Sequence, residues 1–343
     1  MPELPEVEVV RRGLDPYLRG RRISAVTVHE PRSVRRHTPG AAHFVDILTG
    51  ARLAWFSRRG KFLWAPLAGT DEALVVHLGM SGQALLTTER ETPQRHLRLE
   101  LHFEGRARTL AFVDQRMFGG MQVDALVDDG AGGRVPAVVT HIARDPLDPL
   151  FDPAAVVQRM RRRHSAVKHQ LLDQTLVSGI GNIYADEALW RARVHWRTPG
   201  SEVSPTRLRG LLGHAADVMR AALAQGGTSF DALYVNVNGE SGYFARTLDA
   251  YGREGEPCHR CGRPLLREPF EGRSSFRCPK CQPAPRSPNP AARHRSHGAG
   301  RRCRTRTTRR RPRLSPHPGG GLWQRGAVRH RHPVLGCPQR PAL

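Results

Sequence analysis

The sequence predicts an α+β fold, with an antiparallel β-sandwich first, a largely helical domain second and a small cysteine-bearing β-hairpin last. Three observations carry this reading. Leu97 to Phe103 alternates apolar and polar residues with a period of two, Glu104-Gly105-Arg106 reads as a turn, and Thr109 to Val113 supplies a partner strand. Beyond residue 150 the spacing changes to that of helices, over Pro153–Arg163, Ser165–Ser178 and Ser204–Gln225. Near the end of the patterned region stand two Cys-x-x-Cys pairs, Cys258/Cys261 and Cys278/Cys281, sixteen residues apart.

Taken in order, the first element departs from the sheet pattern. Val7, Val10, Leu14 and Leu18 lie on one helical face between Glu6 and Leu18, and Gly20 ends the run. Short strands punctuated by Gly and Pro then continue to about Val127. Asp128 to Pro136 is Gly-rich and acidic and reads as a linker. The expected domains are therefore 1–130, a linker over 131–152, a helical domain over 153–250, the cysteine-bearing module over 251–282 and a tail over 283–343.

Four thiolates paired in this way can close a tetrahedron around one Zn2+, with Leu265 to Phe276 forming a hairpin turned at Glu271-Gly272. Redox chemistry through either pair lacks a thioredoxin-like strand–helix setting. Four protein ligands leave no open position for water or substrate, so the zinc is expected to be structural.

The formal charge is +23, but residues 283–343 hold fifteen Arg and no Asp or Glu, which leaves +8 on residues 1–282. The body is basic enough for a phosphate-binding face. The tail, rich in Arg, Pro, His and Gly without apolar periodicity, is expected to be disordered and to add salt-sensitive affinity for nucleic acid. A second reading makes it the product of a frameshift in a GC-rich gene, and Cys303 and Cys337 are incidental in either case. Against fifty-one Arg there are only three Lys, Lys61, Lys168 and Lys280. No signal-peptide pattern or membrane-length apolar run is present, so a reducing cytoplasm is expected.

The terminus carries candidate chemistry. Removal of Met1 makes Pro2 a free secondary amine with Glu3 and Glu6 close by, and an α-amino group titrates near ~8. Attack of such an amine on a sugar aldehyde carbon gives an iminium, which is cationic without protonation and draws electrons for later eliminations. Pro2 and Pro5 would also simply stiffen an extended end. A second candidate is the stretch from Lys168 to Arg191. Leu176-Val177-Ser178 ends one helix, Gly179-Ile180-Gly181-Asn182 turns the chain, and Asn182 reads as the N-cap of the next helix, whose free amides attract phosphate. A plain αα-hairpin has the same glycines. Arg161 to His164 extends the basic surface or is a solvated face, and Thr228 to Phe244 reads as a functional loop.

The opening MPELPEVE, His77-Leu78-Gly79-Met80-Ser81-Gly82, Arg116-Met117-Phe118-Gly119, Leu171 to Leu189 and the cysteine pairs together resemble the formamidopyrimidine-DNA glycosylases, over residues 1–282. The resemblance implies a β-sandwich domain joined to a helix–two-turn–helix DNA-binding domain with a lesion-capping loop and a β-hairpin zinc finger. It implies base excision repair of oxidised purines, 8-oxoguanine and formamidopyrimidines, in double-stranded DNA and cleavage at abasic sites. Pro2 would form the Schiff base, Glu3 act as general acid and Glu6 order the site. Lys61 and Arg273 would anchor phosphate and move protons in β,δ-elimination. Met80, Arg116 and Phe118 would fill the space left by the flipped base, while His77, His96, Lys168 and Asn182 would face DNA; Arg163 and His164 of the basic run are expected to join that surface unless the run is simply solvated. A monomer in the bacterial cytoplasm, on the nucleoid when bound to DNA, follows. Asp114-Gln115-Arg116-Met117-Phe118 departs from the family's commoner Asp-Pro-Arg-Arg-Phe at Gln115 and Met117, which opens the question of that loop's conformation.

Two competing readings remain at this point. An endonuclease VIII-type glycosylase would share the machinery but take oxidised pyrimidines; Leu4, the Met80/Arg116/Phe118 trio and the long 228–244 loop favour the purine enzyme. A non-catalytic binder of damaged DNA would have no use for the terminal amine, Glu3, Glu6 and Lys61.

Overall fold

The first helix, α1 (Leu4–Leu18), starts two residues earlier than the apolar spacing indicates. The reason is a reciprocal cap: Glu6 lies at the third helical position and its Oε2 accepts the Glu3 backbone N–H at 2.8 Å, fixing the entry to the helix. The computed structural model describes residues 2–88, 95–105, 108–227 and 247–285. The expected lesion-capping loop over 228–244 and the tail beyond residue 285 lie outside the described residues.

After α1 the chain forms β1 (Ile23–Val28), α2 (Ala41–Leu48), β2 (Ser57–Arg59), β3 (Phe62–Pro66), β4 (Glu72–His77), β5 (Gly82–Thr87), β6 (Leu97–Phe103), β7 (Thr109–Asp114), β8 (Gly120–Asp128) and β9 (Arg134–Pro136). Among the described residues these strands make two antiparallel sheets, ordered β1-β6-β7-β5 and β2-β3-β4-β8-β9. Val26, Leu99, Leu101, Leu110 and Phe112 from one sheet meet Leu63, Leu74, Val76 and Met121 from the other, joined by Val7, Val10, Leu14 and Leu18 of α1. This is the sandwich that the period-two alternation predicts. In β3 and β4 the alternation gives way to apolar runs because the second face is also covered: Trp64, Ala73 and Val75 pack under Val135, Val139 and Ile142.

The stretch expected as a linker is instead a hairpin. Asp128 pairs with Arg134 and Leu126 with Pro136, so β9 completes the five-stranded sheet. Its glycines and acids serve the turn, where Asp129 Oδ1 accepts the N–H groups of Ala131 and Gly133, both at 3.0 Å. The crossing segment follows, and ion pairs tie it to the sheet: Arg58 to Asp145 at 2.8 Å, Arg59 to Asp129 at 2.7 Å, and Arg144 to Asp129 at 3.0 Å.

Arg58 also reaches Glu8 of α1 at 3.2 Å, and Arg11 and Arg12 approach the same carboxylate at 2.8 Å each. Burial pushes Glu8 up, but Arg11, Arg12 and Arg58 outweigh it and hold it down to about 2. A carboxyl depressed in the folded state contributes stability above its unfolded pKa, near 4.5, and loses it as pH falls toward 2. Glu8→Gln is therefore expected to lower stability by on the order of 1–2 kcal/mol at pH 7 and by little at pH 2, which denaturant titration at the two pH values checks.

The helical part contains α3 (Pro153–Arg161), α4 (Val167–Leu172), α5 (Asn182–Ala192) and α6 (Pro205–Ala224). α4 stops well before Ser178, because Asp173 turns its side chain to the Thr175 N–H and hydroxyl at 3.0 and 2.7 Å. Leu171, Leu176, Val177, Ile180, Tyr184, Leu208 and Met219 build the second core, and Leu4 from the chain's start belongs to this core. β10 (Leu266–Phe270) and β11 (Arg273–Arg277) pair as the final hairpin, turned at Glu271-Gly272 as the sequence predicts.

Candidate active site at the start of helix α5

Two carboxylates and a lysine that are far apart in the chain converge where the terminal segment meets the Gly179–Asn182 turn. Leu4 N–H donates to the Gly179 carbonyl at 3.1 Å, which docks the terminus on the turn. The buried Glu3 carboxylate then accepts the N–H groups of Gly181 at 2.7 Å, Ile183 at 3.0 Å and Tyr184 at 3.4 Å. These are the free amides of a helix start, where an anion is favoured. The phosphate expected at this helix start is thus replaced by the protein's own carboxylate. The N-cap is Gly181 rather than Asn182, and Asn182, at the first helical position, donates its amide to the Ser274 carbonyl at 2.9 Å. Gly181 leaves the carboxylate its room: a Cβ there would lie 2.2 Å from Glu3 Cδ and force the side chain to move.

Glu6 is held by the Tyr184 hydroxyl at 2.9 Å, and Lys61 Nζ donates to the Ile180 carbonyl at 3.1 Å. Burial raises the Glu3 pKa and Lys61 opposes it; burial lowers the Lys61 pKa and Glu3 opposes it. Burial thus draws the two pKa values toward each other, the direction that general acid–base work requires. Arg273 on β11 adds a second positive field to Lys61.

Glu3, Met80, Asn182, Ile183, Tyr251, Arg267, Arg273 and Ser274 are among the residues lining a cleft of about 510 Å³. The remaining members of the expected intercalating trio stand on a neighbouring loop. Arg116 lies over the Phe118 ring at 5.3 Å, and Phe118 is 44 % exposed. The two loops touch backbone to backbone, since a Cβ on Gly79 would meet Gly119 N at 2.4 Å. Gln115 and Met117 do not prevent an ordered loop: Asp114 gathers it by accepting from Ser81 Oγ, Arg116 N and Gly119 N, and Met117 takes a left-handed conformation at φ 56°.

His77 packs on Phe62 with ring centroids 4.7 Å apart, and burial pushes its pKa down to about 4. His96 lies between the Arg95 and Arg98 side chains, and its carbonyl holds Asp114 N–H. Arg163 pairs with Asp173 at 2.6 Å and His164 meets Ser201; neither lines the cleft.

Lys168 differs most from expectation. It is wholly buried, pairs with Asp186 at 2.7 Å, donates to Ser274 O at 3.3 Å and lies 4.8 Å from the Phe270 ring centroid. Its ammonium therefore faces the hairpin, not solvent. Burial alone lowers its pKa and raises that of Asp186, and their mutual attraction opposes both shifts.

Sequence reasoning missed how much α5 organises. Its amides hold Glu3, Tyr184 holds Glu6, and Asp186 takes Ser275 Oγ and Phe276 N–H, both at 2.9 Å. Glu187 accepts the N–H groups of Asp249, Ala250 and Tyr251, and Trp190 packs against Cys258 and Cys278. Two adjacent acids wholly buried in a helix were the available signal, visible only once both faces are known to be covered.

The four cysteine sulfurs lie within 4.8 Å of one another. With Zn–S bonds near ~2.3 Å a tetrahedron has edges of roughly 3.8 Å, so the donor set fits one zinc. Burial opposes a thiolate at Cys258, but the backbone N–H groups of Arg260 and Cys261 favour it, and the thiol is held down to about 6. Cys278→Ser is expected to abolish zinc retention, measured as metal per chain, and to unfold the hairpin that carries Arg273.

Comparison with known proteins agrees with this construction. The chain matches the formamidopyrimidine-DNA glycosylase N-terminal domain over residues 1–121, the formamidopyrimidine-DNA glycosylase H2TH domain over 142–232, and the zinc finger found in FPG and IleRS over 255–284. It is 58% identical to the formamidopyrimidine-DNA glycosylase of Streptomyces avermitilis over 287 residues, 83% of this chain and 99% of that one. With the Mycolicibacterium gilvum enzyme of the same name the identity is 61%, over 83% of this chain and all of that one. Among solved structures, a Lactococcus lactis FPG mutant in complex with Fapy-dG-containing DNA superimposes with a TM-score of 0.73 at 30% identity, covering 82% of this chain and 100% of that one. The MutM (FPG) protein of Thermus thermophilus gives 0.71 at 35%, covering 82% and 98%. The chain belongs to the formamidopyrimidine-DNA glycosylase family.

Proposed function

We propose that this protein is a bifunctional DNA glycosylase and AP lyase of base excision repair that removes oxidised purines from double-stranded DNA, working through Pro2, Glu3, Glu6, Lys61 and Arg273. The observation that carries the assignment of roles is the Glu3 carboxylate, fixed by three amides beside Lys61 in a cleft that begins one residue from Pro2. With Met1 removed, the Pro2 nitrogen attacks C1′ as the bond to the base breaks, and Glu3 delivers a proton to the sugar ring oxygen. The resulting iminium acidifies C2′. Loss of a C2′ proton expels the 3′ phosphate, and a second elimination expels the 5′ phosphate. Lys61 and Arg273 serve as proton carriers and phosphate anchors, and Glu6 orders the site.

Met80, Arg116 and Phe118 occupy the vacated stack, at a base-flipping cost of a few kcal/mol. His77, His96, Arg163 and His164 contribute to DNA contact, with Asn182 at the cleft wall. For Lys168 we propose that contact with the DNA backbone follows from holding Ser274 next to Arg273. The enzyme works as a monomer in the bacterial cytoplasm on nucleoid DNA; among the described residues no helix is long and apolar enough to cross a membrane.

Borohydride reduction in the presence of a duplex carrying 8-oxoguanine opposite cytosine tests this. The expected product is a covalent DNA adduct on the peptide starting at Pro2. An adduct only with oxidised-pyrimidine DNA would identify an endonuclease VIII-type enzyme, and tight binding without any adduct would identify a non-catalytic binder.

A further inference from the structure

The Trp190 indole is an anomaly in an otherwise satisfied helix. The residue is 5 % exposed, and its buried Nε1–H has no hydrogen-bond partner among the described residues. A buried N–H that has given up water needs an acceptor. Its surroundings offer sulfur: Trp190 packs in one cluster with Cys258, Cys278, Leu265 and Ala250. The ring is also fixed from the knuckle's side. Arg260, between Cys258 and Cys261, lies 3.6 Å from the indole centroid and binds the last carbonyls of α5, those of Trp190 and Arg191. Its charge there also complements the helix's negative end.

Four thiolates on one Zn2+ carry a net charge of −2, and a partly buried centre of that charge is stabilised by N–H donors around it. Cys278 Sγ has the Cys281 N–H at 3.4 Å. We propose that the Trp190 indole N–H donates to the Cys258 thiolate of the zinc-loaded finger, which makes Trp190 a positioning residue of the metal centre contributed by a helix outside the finger. The consequence is a direct link between the two ends of α5: its first amides hold Glu3, and a side chain of its last turn holds a zinc ligand.

The test uses the full-length protein and Trp190→Phe, which keeps an aromatic face for Arg260 and removes the N–H. Zinc affinity is measured by competition with a chromophoric chelator, and the thiolate-to-metal charge-transfer bands are recorded after cobalt substitution. The expected result is a loss of zinc affinity of about 10–100-fold, the usual effect of removing a partner of a metal ligand, with shifted cobalt bands and an unchanged far-ultraviolet spectrum in excess zinc. Zinc affinity within about twofold of the parent would overturn the proposal. Should the variant not fold, the parent protein loaded with a spin-active cadmium isotope decides: scalar coupling between the metal and the Trp190 indole proton supports the hydrogen bond, and its absence in a well-resolved spectrum overturns it.

Discussion

Gly181→Ala is expected to reduce base excision and strand nicking by about 100-fold or more, the scale of an oriented general acid. The methyl would sit 2.2 Å from Glu3 Cδ and 2.4 Å from Oε1, so the carboxylate must leave the Gly181, Ile183 and Tyr184 amides that now hold it at 2.7, 3.0 and 3.4 Å. The backbone cannot retreat to relieve this, because the terminus is anchored just beyond Glu3: Leu4 is packed in the helical core and its N–H is bound to Gly179 O. The pH profile should move as well. The Ile183 and Tyr184 amides work against burial to restrain the Glu3 pKa, so their loss raises it further. A general acid with a higher pKa stays protonated to higher pH, and the alkaline limb of the residual activity is expected to shift upward. Single-turnover excision rates against pH check both statements, with Glu3→Gln as a companion that removes the acid without adding volume. Activity within about tenfold of the parent would show that the cradle does not aim Glu3.

Asp186→Ala is expected to be the most damaging single change to stability, at about 3–5 kcal/mol. It strands the Lys168 ammonium, which is wholly buried and has Asp186 Oδ1 at 2.7 Å. It also removes the acceptor for Ser275 Oγ and Phe276 N–H, the contacts that fasten β11 to α5. For a domain of this size each kcal/mol lowers Tm by roughly 2–4 °C, so a fall of about 10 °C or more should appear by calorimetry. The double variant Asp186→Leu with Lys168→Met should recover much of that loss, since a buried ion pair is often replaceable by apolar residues of similar volume. Recovery of stability without recovery of nicking would show that the pair's specific geometry places Arg273. A Tm loss of only a degree or two in Asp186→Ala would mean that Lys168 finds water or another acceptor.

Much of the molecule was legible in the chain. Period-two alternation in β6 exposes one polar face and, with its partner β7, marks the sandwich, while the sixteen-residue gap between cysteine pairs marks the hairpin and its metal. The two glycines near Asn182 marked a turn with close backbone approach. What the approach was to stayed hidden, because nothing in the pattern says that residue 3 and residue 181 meet. Likewise the Asp128–Pro136 composition fits a linker and a hairpin turn equally; only pairing with β8 separates them. For Lys168 the family resemblance implied a face toward DNA. Its partner, Asp186, lies on the following helix, which the sequence places but cannot orient.

Local chemistry, then, was carried by short motifs whose residue types leave few options: a proline at position 2, carboxylates at 3 and 6, four thiolates, and glycines where a Cβ does not fit. Their meeting was decided by burial. Leu4 enters the helical core rather than the sandwich, drawing Glu3 onto the start of α5 and Glu6 onto Tyr184. The same burial that withdraws water from Glu3 and Lys61 moves their pKa values toward each other, a property that neither residue has in an unfolded chain.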